Sequence, residues 1–290
     1  VATGTAEMTG KTCMVTGATG GIGLASAVGL ARLGARLVLV CRSLERGRVA
    51  AQRIREEAGS SAEIDLLEAD LASQAAIRAL AARYLASERP LHVLLNNAGV
   101  VMLKRNETPD GIETTFAVNH LAYFLLTNLL MDALKRSAPA RIVCVASDAH
   151  RLAGGPLDFD DLEGRKRYAA MRNYGMSKLA NILFTREMAR RLSGTGVTIN
   201  CLHPGMVSTG LGANNGLLAR ALITLLRPFS RSPRRGAETS IFLCSDPTVA
   251  QVSGRYFVDS REAQPDEVAL DDDAGRRLWE ISARMTGLPV

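Results

Sequence analysis

The stretch Thr16-Gly17-Ala18-Thr19-Gly20-Gly21-Ile22-Gly23 constrains this 290-residue chain more than any other, because of what flanks it. A short apolar run occupies residues 11–15, and residues 24–33 have the apolar spacing of a helix. A strand, a glycine-rich turn and a helix start in that order leave bare backbone N–H groups and the positive helix end facing one point. Glycine lets a ligand come close, so the turn suits a phosphate, with Gly17, Thr19, Gly21, Ile22 and Gly23 around it. The spacing Gly17-x-x-x-Gly21-x-Gly23 departs from the common Gly-x-Gly-x-x-Gly fingerprint, so assignment to a nucleotide rests on the following elements.

Residues 36–40 read as a second strand, and the residue just after it normally reads the adenosine ribose. A carboxylate there accepts the 2′-hydroxyl of NAD and repels the extra phosphate of NADP. Cys41-Arg42 stands there instead, with a guanidinium able to grip a phosphate through paired hydrogen bonds, so the expected cofactor is NADP(H). Residues 44–58 form a charged amphipathic helix, and residues 62–68 a third strand ending at Ala69-Asp70-Leu71. Asp70 is placed to accept the adenine amino group or to cap the helix that Ser73 opens. A fourth, fully apolar strand at residues 91–95 runs into Asn96-Asn97-Ala98-Gly99.

Strands alternating with helices predict an α/β fold, a single domain whose doubly wound parallel sheet of about seven strands has helices on both faces. Ligands then sit beyond the carboxyl ends of the strands. Residues 115–135 read as one long helix holding the polar Asn119, and residues 140–146 as a fifth strand delivering Ser147 to that edge. A sixth strand at 195–202 leads to Pro204, Gly205, Val207 and Thr209. A helix at 236–245, a seventh strand at 254–258 and a terminal helix at 271–285, outside the cofactor machinery, complete the expected order.

Asn173-Tyr174-Gly175-Met176-Ser177-Lys178 places a phenol and an ammonium at helical positions i and i+4, on one face. Free tyrosine has a pKa of about 10 and is a poor acid or base near neutrality until a cation stabilises its phenolate. Lys178 is positioned to be that cation.

Composition excludes several alternatives. Hydrophobic residues make up 47% and charged residues 22%, too apolar for a disordered chain. The formal net charge is +6, but Lys and Arg are dispersed among acids without a basic stripe, so no nucleic-acid partner is expected. Cys13, Cys41, Cys144, Cys201 and Cys244 show no metal-ligand spacing and read as reduced core residues, and no metal is expected. No segment has the uninterrupted apolar length of roughly 20 residues that spans a bilayer. Residues 1–10 carry no leader pattern, so a cytoplasmic location is expected. Residues 216–229 are apolar with flanking Arg220 and Arg227. That segment reads as part of a lid over substrate, at approximately 211–235, or as an interfacial helix making weak peripheral membrane contact.

Taken together, TGATGGIG at 16–23, NNAG at 96–99, Asn119, Ser147, YGMSK at 174–178 and HPGMVSTGL at 203–211 resemble a classical short-chain dehydrogenase/reductase. The long segment between Ser147 and Tyr174, with Leu157-Asp158-Phe159-Asp160-Asp161-Leu162, resembles the retinol dehydrogenase-like branch. Asn119-His120-Leu121, Ser177-Lys178-Leu179-Ala180-Asn181 and Gly254-Arg255-Tyr256-Phe257 do so too. The resemblance implies a Rossmann-type fold over residues 1–290, with a C-terminal extension at approximately 259–290. It implies NADP-dependent interconversion of a hydrophobic aldehyde or ketone and its alcohol, the substrate being retinoid-like, terpenoid, steroid or aromatic. Ser147 would hydrogen-bond the carbonyl oxygen, Tyr174 would donate the proton, and Lys178 would lower the tyrosine pKa and hold the nicotinamide ribose. Asn119 would order a proton-relaying water. Asp70, Leu71, Asn97, Ala98, Gly99, Pro204, Gly205, Val207 and Thr209 would line the cofactor, and a homodimer through the helices beginning near Thr115 and Tyr174 is among the family's habits. Two rivals share these motifs: a catalytically silent NADP(H)-binding scaffold, and a carbon–carbon double-bond reductase of the protochlorophyllide reductase type. Silent members lose one or more of the four polar residues, and this chain keeps all four.

Overall fold

The computed structural model describes residues 7–59, 61–207 and 230–290. Its first half is β1 (Thr12–Thr16), α1 (Gly21–Arg32), β2 (Arg36–Cys41), α2 (Leu44–Ala58), β3 (Ile64–Glu68), α3 (Gln74–Leu85) and β4 (Val93–Asn96). Next come three short helices, α4 (Thr114–Phe116), α5 (Ala122–Leu129) and α6 (Met131–Arg136), then β5 (Ala140–Val145), α7 (Ala170–Arg191) and β6 (Val197–His203). The described chain ends with α8 (Pro233–Ser245), β7 (Tyr256–Val258), β8 (Arg261–Ala263) and α9 (Asp272–Thr286).

One eight-stranded sheet has the order β3-β2-β1-β4-β5-β6-β7-β8. Seven strands are parallel, and β8 pairs antiparallel with β7. Side chains alternate between two cores, as the pleat requires. Leu94 faces one core with Ile142, Ile199 and Leu179, while Val93 and Leu95 face the other with Leu24, Ala27 and Leu243. Strands covered on both faces must be apolar at every position, which is why β1 and β4 are buried from end to end. Each fully buried leucine contributes about 2 kcal/mol to this packing.

The structure corrects the sequence reading at two elements. The long helix expected at 115–135 is interrupted: Ala117–Leu121 forms a π-helical turn and Leu130 separates α5 from α6. The wider turn carries Asn119, whose side chain bonds the Val100 main chain from both ends, with Oδ1 accepting from N at 2.8 Å and Nδ2 donating to O at 3.0 Å. The eighth strand was not expected. Asp259 (φ 49°) and Ser260 (φ 59°) make the two-residue turn between Val258 and Arg261, a geometry usually signalled by glycine or asparagine.

The C-terminal extension is built into the same body. Trp279 of α9 packs edge-on to Phe124 at 4.9 Å and stacks on Phe184 at 6.2 Å. Every residue of α7 from Asn173 to Thr185 is buried within the single chain. All five cysteines are buried and free, as expected of small core residues. No helix among the described residues is long and apolar enough to cross a membrane. The expected lid lies outside the described residues over 211–229, and its last expected residues, 233–235, begin α8.

Candidate active site

Strand order reverses at β1, which lies between β2 and β4, so a crevice opens where the carboxyl ends of β1 and β4 diverge. Thr16 ties the two edges together. Its Oγ1 accepts from the backbone N–H of Asn97 at 2.8 Å and of Ala98 at 3.1 Å, and Asn97 Nδ2 donates to Thr16 O at 2.8 Å. Gly17 sits at φ +66°, and an added Cβ would lie 2.9 Å from the Ala98 backbone. A Cβ on Gly23 would lie 2.4 Å from the Gly17 carbonyl. Neither position admits another residue without moving the loops apart. Gly20, at the N-terminus of α1, supplies no side-chain cap, and the first turn has no acid. An added Cβ at Gly20 meets nothing within 4 Å, so the chain is open to one side there. These features fit a dinucleotide phosphate.

Arg42 follows the last residue of β2, whose Val40 pairs with Thr16, so it stands beside the same turn. It is exposed and makes no ion pair among the described residues. Asp70 is engaged locally, accepting from Ala72 N at 3.0 Å, while Ser73 caps α3 by accepting from Ala76 N. The Leu71 side chain is buried in the core, leaving only its main chain for a cofactor. Ile22 is half-buried beside Gly236 of α8, and Thr19 is half-buried in the turn. After β6, Val207 bridges Arg231, whose guanidinium pairs with Asp259, and Arg231 crowds Gly205. Pro204 is half-buried in this turn, and Thr209 lies outside the described residues.

Tyr174, Ser147, Lys178 and Asn119 converge from α7, the end of β5 and the π-helical turn. Burial pushes the Tyr174 phenol up to about 12, with a hydrogen bond to Ser147 opposing. Burial pulls Lys178 down to about 8. Lys178 Nζ donates to Val145 O at 2.9 Å and lies 5.6 Å from the Tyr174 ring centre. The sequence reading expected the lysine to lower the tyrosine pKa. The causes acting on the phenol here are burial, which raises its pKa, and Ser147, which lowers it. A Cβ on Gly99 would lie 3.3 Å from Asn119 Oδ1 and 3.7 Å from Lys178 Nζ, so both groups face the NNAG turn. Asn119 also donates to Ser177 Oγ at 3.0 Å, which commits both of its amide hydrogens.

Thr16, Ser177, Tyr123 and His150 complete this edge without having been assigned from sequence. Tyr123 donates to Ala98 O at 2.7 Å, and Ser177 donates to Tyr174 O at 2.7 Å. The available signal was a polar residue inside an otherwise apolar element, which is weak because most such groups are satisfied core polars.

Gly175 ties α7 sterically to the turn after Ser147. A Cβ there would lie 2.6 Å from Ala149 O and 2.7 Å from Ala153 N, in the 3-10 turn Asp148–Ala153 that follows Ser147. Gly175→Ala must therefore move α7 away from that turn, and both contacts are backbone. The expected result is a loss of about 1–3 kcal/mol of stability, with a lower kcat in the remaining folded protein. Denaturant unfolding and turnover per folded molecule check it, and an unchanged unfolding midpoint would show that the helix and turn are not in contact.

The sheet order, glycine-lined crevice and polar quartet define a dinucleotide-dependent oxidoreductase class, and the comparisons agree. The short chain dehydrogenase family model matches residues 11–217. Mouse retinol dehydrogenase 14 is 46% identical over 293 residues, covering 97% of this chain and 87% of the relative. The crystal structure of an uncharacterized protein from Mycobacterium paratuberculosis superposes with a TM-score of 0.77 at 28% identity, covering 99% of this chain and 98% of the other. The NADP active-site complex of Pseudomonas aeruginosa RhlG superposes with a TM-score of 0.68 at 26% identity, covering 87% and 95%. The chain belongs to the short-chain dehydrogenases, in their retinol dehydrogenase-like branch. It is an oxidoreductase acting on an alcohol or carbonyl.

Proposed function

We propose that this protein is an NADP(H)-dependent enzyme that reduces a hydrophobic aldehyde or ketone to its alcohol. The carrying observation is the buried Tyr174 phenol, whose pKa burial pushes up to about 12 against the lowering effect of Ser147. A neutral phenol is a proton donor, as reduction requires. Bound NADPH supplies the hydride. Ser147 donates a hydrogen bond to the carbonyl oxygen as negative charge grows there, and Tyr174 transfers its proton to that oxygen. Lys178 returns a proton to the tyrosine side of the site and holds the ribose, while Asn119 anchors the NNAG turn against both.

Two features support the finer choices. Arg42 offers a guanidinium at the ribose position where a carboxylate would select NAD, and RhlG, similar in fold, is complexed with NADP. Leu152, Met171 and Met206 are 51%, 50% and 74% exposed, all on the segments after Ser147, before Tyr174 and after β6. Large apolar side chains left in water around a catalytic edge suit an apolar substrate. A cytoplasmic location belongs to the same proposal.

The test is NADPH consumption against a panel of hydrophobic aldehydes and ketones, run beside NADH, with Arg42→Ala as the comparison. Loss of a charge-assisted phosphate contact costs roughly 1.5–3 kcal/mol, so NADPH affinity should fall about 10- to 150-fold while NADH affinity is nearly constant. Equal losses for both cofactors would leave Arg42 a structural residue.

A further inference from the structure

His150 is fully buried between the main chain of Ser147 and the main chain of the C-terminal extension. Its Nδ1 lies 2.7 Å from Ser147 O, and its Nε2 accepts from the Asp266 N–H at 3.0 Å. A backbone amide only donates, so Nε2 is the bare nitrogen and the proton resides on Nδ1, donated to the serine carbonyl. His150 N also donates to Ser147 O, at 3.0 Å. The ring packs edge-on to Tyr256 at 5.6 Å, and the Tyr256 hydroxyl donates to Asp148 Oδ1 at 2.9 Å. Arg151 adds a second tie, donating to Gln264 O at 3.4 Å and facing the Asp266 carboxylate at 3.8 Å. Burial holds the His150 pKa below its usual value, although the Ser147 carbonyl, Asp148 and Asp266 pull the other way, so the neutral tautomer is the stable one.

We infer that His150 is a positioning residue: it fixes the Ser147 turn so that the hydroxyl meets Tyr174, and it fastens that turn to the segment after β8. The inference rests on the reading of Ser147 as the group that stabilises the carbonyl oxygen. It gives the extension, to which the sequence assigns no catalytic part, a role at the site. Asp266 N–H holds the far side of the imidazole and Gln264 O holds Arg151, so the aim of the serine depends on residues more than a hundred positions later. A displacement of roughly 1 Å at a reacting group can cost about 10²-fold in rate, so a tie of this kind bears on turnover directly.

Two isosteric halves of the imidazole separate the roles. The amide nitrogen of asparagine occupies the place of Nδ1, so His150→Asn keeps a donor for Ser147 O and loses the acceptor for Asp266. The amide oxygen of glutamine occupies the place of Nε2, so His150→Gln keeps that acceptor and loses the donor. The expected result for His150→Gln is a fall in kcat of about tenfold or more, with KM for the carbonyl and the NADPH dissociation constant within about twofold. His150→Asn should recover most of that kcat, while amide exchange at Asp266 quickens. Equal kcat in the two variants per folded molecule, whether both low or both at the wild-type level, overturns the inference. Ser147→Ala runs alongside. If the wild-type chain turns over none of the carbonyl panel, or if Ser147→Ala keeps full kcat, the functional reading fails. If those controls behave as expected and the His150 variants are equal, the positioning role alone fails.

Discussion

Tyr174→Phe lowers kcat for carbonyl reduction by about 10³-fold and leaves the NADPH dissociation constant unchanged. General acid catalysis contributes typically 10²–10⁴-fold, and the Tyr174 phenol is the proton donor of the proposed reduction. Lys178 donates to Val145 O and acts behind the tyrosine, and both amide hydrogens of Asn119 are taken. Phenylalanine keeps the ring in its buried seat on α7, so the fold loses one hydrogen bond, worth about 1 kcal/mol, and no packing. Stopped-flow turnover with an active carbonyl, beside fluorescence titration of NADPH, reads the two quantities separately. Retention of more than a few per cent of wild-type kcat in the folded variant would assign the proton to another group.

Ser147→Ala should lower kcat by about 10²–10³-fold, the usual consequence of deleting one hydrogen-bond donor to a developing oxyanion. It carries a second signature in pH. The serine hydrogen bond opposes the upward push of burial on the Tyr174 phenol, so its removal lets that pKa rise further. A higher phenol pKa favours the neutral acid, which reduction uses. It disfavours the phenolate, which alcohol oxidation uses as its base. Oxidation rates in the variant should therefore begin their alkaline rise at a higher pH than in the wild type. A profile displaced to lower pH, or an unshifted profile with full kcat, would remove Ser147 from contact with the tyrosine.

The legible part of this molecule was local. Charged and amphipathic spacing placed α2 at its observed bounds, and unbroken apolar runs placed the parallel strands within about two residues. Where an element's identity depends on its neighbours, the reading stopped short. The helix around Asn119 has ordinary helical spacing, and only the demand of the Val100 main chain for hydrogen bonds opens it into a π turn. Arg261-Glu262-Ala263 is too short and polar to announce a strand, yet the free edge of β7 recruits it.

The sequence by itself determined the α/β class, the phosphate turn after β1, the absence of a ribose-reading acid after β2 and the shared face of Tyr174 and Lys178. Each is set within a few residues by backbone sterics, helical periodicity or side-chain charge. Only the tertiary structure decided that Ser147 and Tyr174 come together, that burial raises the phenol's pKa, and that His150 fastens the serine turn to Asp266. Those relations join residues far apart along the chain, and desolvation depends on everything packed around a group, so no local pattern of residues encodes them.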